Sequence, residues 1–437
     1  MKKVAAHWQI IIALVSAVLV ATLLKQFGDV AWVKSTLKIC SLLGDLFLQG
    51  LKMIIVPLVV SSIIAGLAGL AGFDGFKRMG MKTLGFYLIS TLSAVVLGLL
   101  IVNTIQPGLK DGKPNAELRE VFDNAPAQTS DTDKAKFTGS QQDKAKDWTS
   151  IFKRMLPANI IKAGAEGQLL GLLVFSLMFG IAMTQFPPDQ MKPMRDFFQT
   201  LNDVMIRITQ WIMVCAPLGI FGMMVATVYK SGAEVFQQLA PYFFTVLIAL
   251  ALHMFVVLPL LLKIIGKVSP IAHFKAMKTA LLTAFSTSSS SATLPVTMRC
   301  VQDNAGVSKK TASFTLPLGA TVNMDGTALY ECIAVIFVAQ VMGLDMAFAA
   351  QMLVVISALL TSIGVAGVPS ASMVAILIIM NNSGIPGADN AILALFAVDR
   401  LLDMSRTAVN VFGDSCAAVV IAKSEGEILY QSPKEPV

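Results

Sequence analysis

The chain has 437 residues, 55% of them hydrophobic and only 14% charged, with a mean hydropathy of +0.71. A soluble domain carries about 25% charged residues, so this composition excludes one and indicates an integral membrane protein with many spans. The net charge of +7 comes without a concentrated basic segment. Positive-inside bias accounts for it, and no nucleic-acid partner is expected.

In chain order, residues 4–24 are free of charge and flanked by Lys3 and Lys25. A helix needs about 20 apolar residues to cross the hydrocarbon, and no small-residue cleavage site follows. This is the expected first span, with MKK cytoplasmic. Charge-free runs recur at 53–73, 83–109, 168–188, 208–229 and 235–262. The short connectors FDGFKRMGMK and KIIGK carry Lys and Arg, which places them inside. Residues 107–153 are polar, mixed in charge and short of aliphatics, and read as a flexible external loop.

The second half is different. Its apolar stretches are broken by small-residue clusters: STSSSSATLP within 279–298, GATVNMDGT within 311–344 and SIGVAGVPSAS within 346–388. Irregular backbone at membrane depth is tolerated only where it is buried in protein or lines a cavity. Ala292-Thr293-Leu294-Pro295 and Ala366-Gly367-Val368-Pro369 share one pattern. Each fits a hairpin that enters and leaves by one side, and paired interruptions of this kind mark transporter binding sites. Coincidence in a chain rich in Ala, Pro and aliphatics is the alternative.

The last apolar run holds VDRLLDMSRTAVNVFGDS, residues 398–415. On a helix, Asp399, Asp403, Arg406, Asn410 and Asp414 fall at about 0°, 40°, −20°, 20° and 60°, with Thr407 beside them. A charge at mid-membrane costs at least about 2.5 kcal/mol. The stripe sums to −2 before Arg400 is counted (three Asp against one Arg). A buried negative surplus calls for a cation, and carboxylate and amide oxygens suit Na⁺. A self-neutralising structural network, or a cytoplasmic helix end, is the alternative. Asn323 to Thr327 (NMDGT) adds oxygens beside Gly326, which permits an unwound turn. The serines at 288–291 offer hydroxyls and free N–H groups where a half-helix would aim its positive end at a carboxylate.

Enzyme chemistry finds no support. A catalytic serine would need a nearby base, and neither His253 nor His273 sits in a comparable motif. Five scattered cysteines without a CxxC read as buried small hydrophobes, three separated histidines show no zinc cluster, and no Walker A pattern is present.

In combination, SSSSATLP at 288–295, NMDGTALYE at 323–331, SIGVAGVP at 362–369 and DMSRTAVNVFGD at 403–414 resemble the excitatory amino acid transporters, the dicarboxylate/amino acid:cation symporters. The resemblance runs from the first span to about Glu427. It implies an all-α integral membrane fold of eight transmembrane helices and two re-entrant helical hairpins. These form inverted repeats and assemble as a homotrimer that works as an elevator. Residues 1–75 and 154–231 would be scaffold. Residues 76–109 and 232–427 would be the mobile transport domain, 110–153 an external loop and 428–437 a cytoplasmic tail.

By the same resemblance, Asp403 takes the substrate α-amino group and Arg406 its side-chain carboxylate. Asn410, with the backbone at Ser288 and Ser290, takes the α-carboxylate; Thr327, Thr407 and Gly367 also sit at the substrate. One Na⁺ site is implied at Asp414, Asn410 and the carbonyls near Gly319 and Asn323. A second is built from carbonyls of Thr321, Ser362, Ile363 and Val365 next to Met324. A third uses Tyr87, Ser90 and Thr91 with Asn323 and Asp325. Glu331 stands where animal members link a Glu to proton and K⁺ coupling. Arg400, off the stripe, is a candidate for the positive charge that other members place at the positions of Ser288 or Met404, beside Asp403 or Glu331.

The expectation is therefore a non-enzymatic, Na⁺-driven symporter of aspartate or glutamate in the bacterial inner membrane, with both termini cytoplasmic. A proton-coupled glutamate or C4-dicarboxylate carrier is the alternative within the class, and an ion channel the alternative outside it.

Overall fold

The computed structural model describes residues 6–28, 30–68, 76–124, 156–165, 169–231, 235–364 and 371–430. The chain opens with α1 (Ala6–Gln26), α2 (Ala31–Ala68) and α3 (Phe76–Ile105). A short hairpin, β1 (Leu109–Lys110) with β2 (Lys113–Pro114), leads into α4 (Ala116–Asn124). Then come α5 (Ile160–Ala165), α6 (Leu169–Met183), α7 (Pro188–Val214), α8 (Ala216–Ser231) and α9 (Val235–Leu252). A π turn (His253–Val257) joins α9 to α10 (Leu258–Ile264). The site-forming half comprises α11 (Pro270–Thr287), α12 (Ser290–Arg299), α13 (Lys309–Val322), α14 (Asp325–Val341), α15 (Phe348–Gly364), α16 (Ala371–Asn382) and α17 (Ala388–Ser424).

Among the described residues, three helical stretches are long and apolar enough to cross a membrane: 78–105, 235–264 and 309–341, with mean hydropathies of 2.3, 2.6 and 1.4. The chain is thus a mostly helical, membrane-embedded protein. The core centres on α14, every residue of which is buried except Gln340. A helix apolar on all sides must be surrounded, and α3, α9, α15, α16 and α17 pack around this one.

Two expectations need correction. The run at 208–229 is not one helix: α7 ends at Val214 and α8 begins at Ala216, with Cys215 in a turn. Pro217 is the cause. It lacks an N–H and would clash with the carbonyl four residues earlier, so it sits in the first turn of a new helix. Residues 107–153 are not loop throughout either. Asp111 and Gly112 make a two-residue turn between β1 and β2, and α4 follows. Leu118, Val121 and Phe122 of α4 are buried, with Phe122 edge-on to Phe337 of α14 at 6.2 Å. Their i, i+3, i+4 spacing is that of an apolar helix stripe, outweighed in the sequence by the polar residues around it.

At Thr287–Ser290 the chain turns between α11 and α12, which pack on each other. Ser288 adopts φ 50°, ψ 34° there, and the Ser289 hydroxyl caps α12 by accepting from the Ala292 N–H at 3.2 Å. Between α13 and α14 the helix is interrupted at Asn323 (φ −108°, ψ 86°) and Met324 (φ −115°, ψ 63°). Residues 365–370, between α15 and α16, lie outside the described residues, so the expected contributions of Val365 and Gly367 do too.

Candidate binding site

Helix α17 lays its polar stripe against the α13–α14 interruption. Asp399, Asp403, Arg406, Thr407, Asn410 and Asp414 are all buried on it, and so is Arg400. Close approach is possible because position 326 is glycine. A Cβ there would lie 2.6 Å from the carbonyl oxygen of Arg406. The first-turn N–H groups of Gly326 and Thr327, free at the start of α14, donate to Asn410 Oδ1 at 2.8 and 3.3 Å, and Asn410 Nδ2 donates to Thr327 Oγ1 at 3.0 Å. Asn410 is therefore the pin between the two elements.

On one side of that pin lies a cluster of fixed charges. Arg406 Nη2 donates to Asp403 Oδ1 at 2.6 Å, and its Nη1 reaches Asp399 Oδ1 at 3.4 Å. Its guanidinium carbon lies 4.6 Å above the Tyr330 ring, whose hydroxyl donates to Asp399 at 3.0 Å. Arg400 Nη1 meets Asp403 Oδ2 at 3.3 Å. Arg400 thus stands beside Asp403, the first of its two candidate partners. The Thr407 hydroxyl bonds back to the Asp403 carbonyl at 2.7 Å. Asp399 and Asp403 balance Arg400 and Arg406, so this cluster is neutral in sum.

On the other side lies a cluster of oxygens. Ser90 and Thr91 of α3 both donate to Asp325, Thr91 at 2.8 Å to Oδ1. Thr91 is also 3.3 Å from Asn323 Oδ1, while Asn323 Nδ2 donates to Asp414 Oδ1 at 3.0 Å. Asn323 and Thr91 together therefore link the two carboxylates. A Cβ at Gly319 would fall 2.5 Å from Asp414 Oδ1 and 2.7 Å from the Tyr87 hydroxyl, which donates to the Thr315 carbonyl at 2.8 Å. No Arg or Lys contacts Asp325 or Asp414 among the described residues. Hard oxygen donors of this kind suit an alkali or alkaline-earth cation rather than a soft metal.

The remaining expected residues are dispersed. Ser288 and Ser290 are buried at the α11–α12 turn, and the Ser288 hydroxyl has no partner among the described residues. Thr321 and Ser362 turn their hydroxyls back to their own helices, at Leu318 and Leu359. Ile363 is half-buried, and Met324 packs on Ala375. Glu331 is fully buried on α14; its Oε2 lies 2.7 Å from Thr361 Oγ1 and its Oε1 has no partner among the described residues.

Four residues that sequence reasoning left without a role join these groups: Asp399, Tyr330, Thr361 and His253. Asp399 was on the stripe and Tyr330 within NMDGTALYE, so both carried a signal. His253 Nε2 lies 3.3 Å from Asp325 Oδ2 across 72 positions of sequence, and nothing local announced it.

The chain is similar to known proteins over most of its length. A family model described as the Sodium:dicarboxylate symporter family matches residues 6–424. The chain is 33% identical to the Proton/sodium-glutamate symport protein of Geobacillus stearothermophilus, over 100% of this chain and 98% of that one. It is 37% identical to Excitatory amino acid transporter 2 of Homo sapiens, over 87% and 73% of the two chains. With the Proton/glutamate-aspartate symporter of Escherichia coli (strain K12) it shares 32% identity, over 97% and 93%.

Proposed function

The chain belongs to the sodium:dicarboxylate symporter family, and on that premise we propose that it is a secondary active symporter taking up glutamate or aspartate with Na⁺. The observation that carries this is the buried pair Arg406 and Asp403, 2.6 Å apart and both on α17. An acidic amino acid offers the complement of each. Its side-chain carboxylate can replace Asp403 on the planar guanidinium fork, and its ammonium can replace Arg406 on Asp403. The exchange leaves neither Arg406 nor Asp403 without a partner of opposite charge, which limits the cost of carrying charged cargo through an apolar protein. Asn410 and the backbone at Ser288 and Ser290 take the α-carboxylate, with Thr327, Thr407 and Gly367 completing the site.

Sodium ions occupy the oxygen-rich side. One is held by Asp414 and Asn410 with the carbonyls near Gly319 and Asn323. Another is held by Tyr87, Ser90, Thr91, Asn323 and Asp325, and a third by the carbonyls of Thr321, Ser362, Ile363 and Val365 beside Met324. These ions neutralise Asp325 and Asp414, which links Na⁺ entry to substrate binding through the shared pins Asn323 and Asn410. Glu331 carries a proton, and K⁺ return is compatible with the same position. The working form is a homotrimer of eight-span protomers in the bacterial inner membrane, both termini cytoplasmic. Helix pairs α11–α12 and α15–α16 act as its re-entrant hairpins, and the second half of the chain with α3 moves as the elevator.

Uptake of labelled aspartate and glutamate into proteoliposomes tests the reading. A Na⁺ gradient should drive saturable accumulation. Accumulation driven by a proton gradient alone, without Na⁺, would defeat it.

A further inference from the structure

Glu331 faces one hydroxyl whose single proton has two close acceptors and a third, the Ala358 carbonyl, at 3.3 Å. Thr361 Oγ1 lies 2.7 Å from Glu331 Oε2 and 2.8 Å from the carbonyl oxygen of Ser357, one turn back on its own helix α15. A threonine hydroxyl has one hydrogen to donate and can accept as well. With Glu331 ionised, Thr361 donates to the carboxylate and releases Ser357. With Glu331 protonated, the acid donates to Thr361, whose own hydrogen turns back to Ser357. No side chain among the described residues offers Glu331 a substitute for Thr361. Glu331 Oε1 and the Ser357 hydroxyl, both buried, have no partner among the described residues. Of the helices packed on α14, α17 supplies Arg406 as the charge whose field reaches Glu331, and Cys332 is the ionisable neighbour on α14 itself. Helix α9 turns Tyr242 to Tyr330 and Phe337. Helix α4 turns Glu117 to Lys110 at the exposed end. Among the described residues, helices α3 and α16 bring no charged group to Glu331.

We propose that Thr361 is a positioning residue for proton coupling, its hydroxyl reporting the protonation of Glu331 to α15 by switching between the Glu331 carboxylate and the Ser357 carbonyl. The inference rests on the reading that Glu331 carries a proton. Thr361 lies one turn before Gly364, the last residue of α15, so the switch acts at the end of that helix. A hydrogen bond to an ionised acceptor is roughly twice as strong as one between neutral groups. Removing the hydroxyl therefore disfavours the ionised form more than the protonated one.

The test is Na⁺-driven aspartate uptake against pH in proteoliposomes for wild type, Thr361→Val, Thr361→Ser and Glu331→Gln. Thr361→Val, close in shape, should move the alkaline fall of uptake up by about one pH unit and slow turnover at neutral pH. Thr361→Ser should restore the wild-type profile, and Glu331→Gln should flatten it. A wild-type profile in Thr361→Val beside a flat one in Glu331→Gln overturns the role of Thr361 and leaves the proton reading standing. Wild-type pH dependence in Glu331→Gln overturns both. Should Thr361→Val not fold, Thr361→Ala is read in the same way.

Discussion

Two clusters on the same face of α17 handle buried charge in opposite ways. Around Arg406, two carboxylates meet two guanidiniums, so the group is neutral in sum and held by ion pairs of 2.6 to 3.4 Å. Around Asp414 and Asp325, the bonding partners are two hydroxyls, an amide and His253. The first cluster can wait without a ligand because its charges already satisfy one another. The second is short of positive charge, and isolated buried carboxylates are costly. One side is built to exchange partners and the other to acquire a cation.

The largest expected effect comes from breaking the balance of the first cluster. Arg406→Cys leaves Asp399 and Asp403 buried beside Arg400 alone, a change of the kind that costs about 3–5 kcal/mol. Acidic substrates should lose at least about a hundredfold in affinity, while neutral amino acids gain relative to them. Competition of labelled aspartate uptake by both classes checks this; unaltered aspartate transport would refute the assignment.

Next is the cation side. Asp414→Asn keeps the shape and the bond to Asn323 but removes one negative charge. The Na⁺ concentration for half-maximal uptake should rise about tenfold or more. Aspartate affinity at saturating Na⁺ should change far less. Equal loss at both sites would erase the division between the clusters.

Asp399→Asn sharpens the comparison from within. It keeps an acceptor for the Tyr330 hydroxyl but weakens the hold on Arg406, which then rests on Asp403 and the Tyr330 ring. Substrate affinity should shift by about three- to tenfold with Na⁺ dependence unchanged, as paired titrations of both ligands would reveal.

Helical arithmetic on residues 399–414 located both clusters in the sequence, because a 3.6-residue period turns spacing directly into a face. It summed them into one negative stripe, since Arg400 falls off the face and Asp325 lies on another helix. The neutrality of the first cluster comes from Arg400 pairing with Asp403 on the same helix, and the deficit of the second exists only once α14 brings Asp325 beside Asp414. His253 illustrates the limit more sharply. It sits in an apolar run at a π turn, with no neighbouring polar residue to single it out. Only the packing of that turn near α3 and α14 brings it to Asp325. The buried stripe of α4 was legible in spacing, but its polar surroundings hid it. For Cys215, the proline two residues on was the available sign of a break.

The smallest effect concerns the end of α17 nearest Asp414. There residues 425–430 tie several elements together. Glu425 accepts from Lys82 at 2.6 Å and Arg78 at 2.8 Å, both on α3. Glu427 accepts from the Ser308 N–H and the Thr311 hydroxyl at the start of α13, at 2.7 and 2.6 Å. The Tyr430 hydroxyl lies 2.8 Å from His273 Nδ1. Helices α3 and α13 also carry Ser90, Thr91 and Gly319, so this strap sets the register of the cation side and not of the Arg406 side. Arg78 and Lys82 hold the Glu425 carboxyl below its ordinary value of 4.5. A lowered carboxylate stabilises the fold above its unfolded value and loses that contribution as pH falls through the folded one. The contribution of Glu425 is therefore complete at neutral pH and fades below about 4.5. The pairs are exposed, so Glu425→Gln should lower the melting temperature by only about 1–2 °C at pH 7, and by progressively less as pH falls below about 4.5. Half-saturating Na⁺ should rise slightly, by less than about twofold. Aspartate affinity at saturating Na⁺ should stay put, and an equal fall in both would mean that the strap holds the two clusters together rather than one.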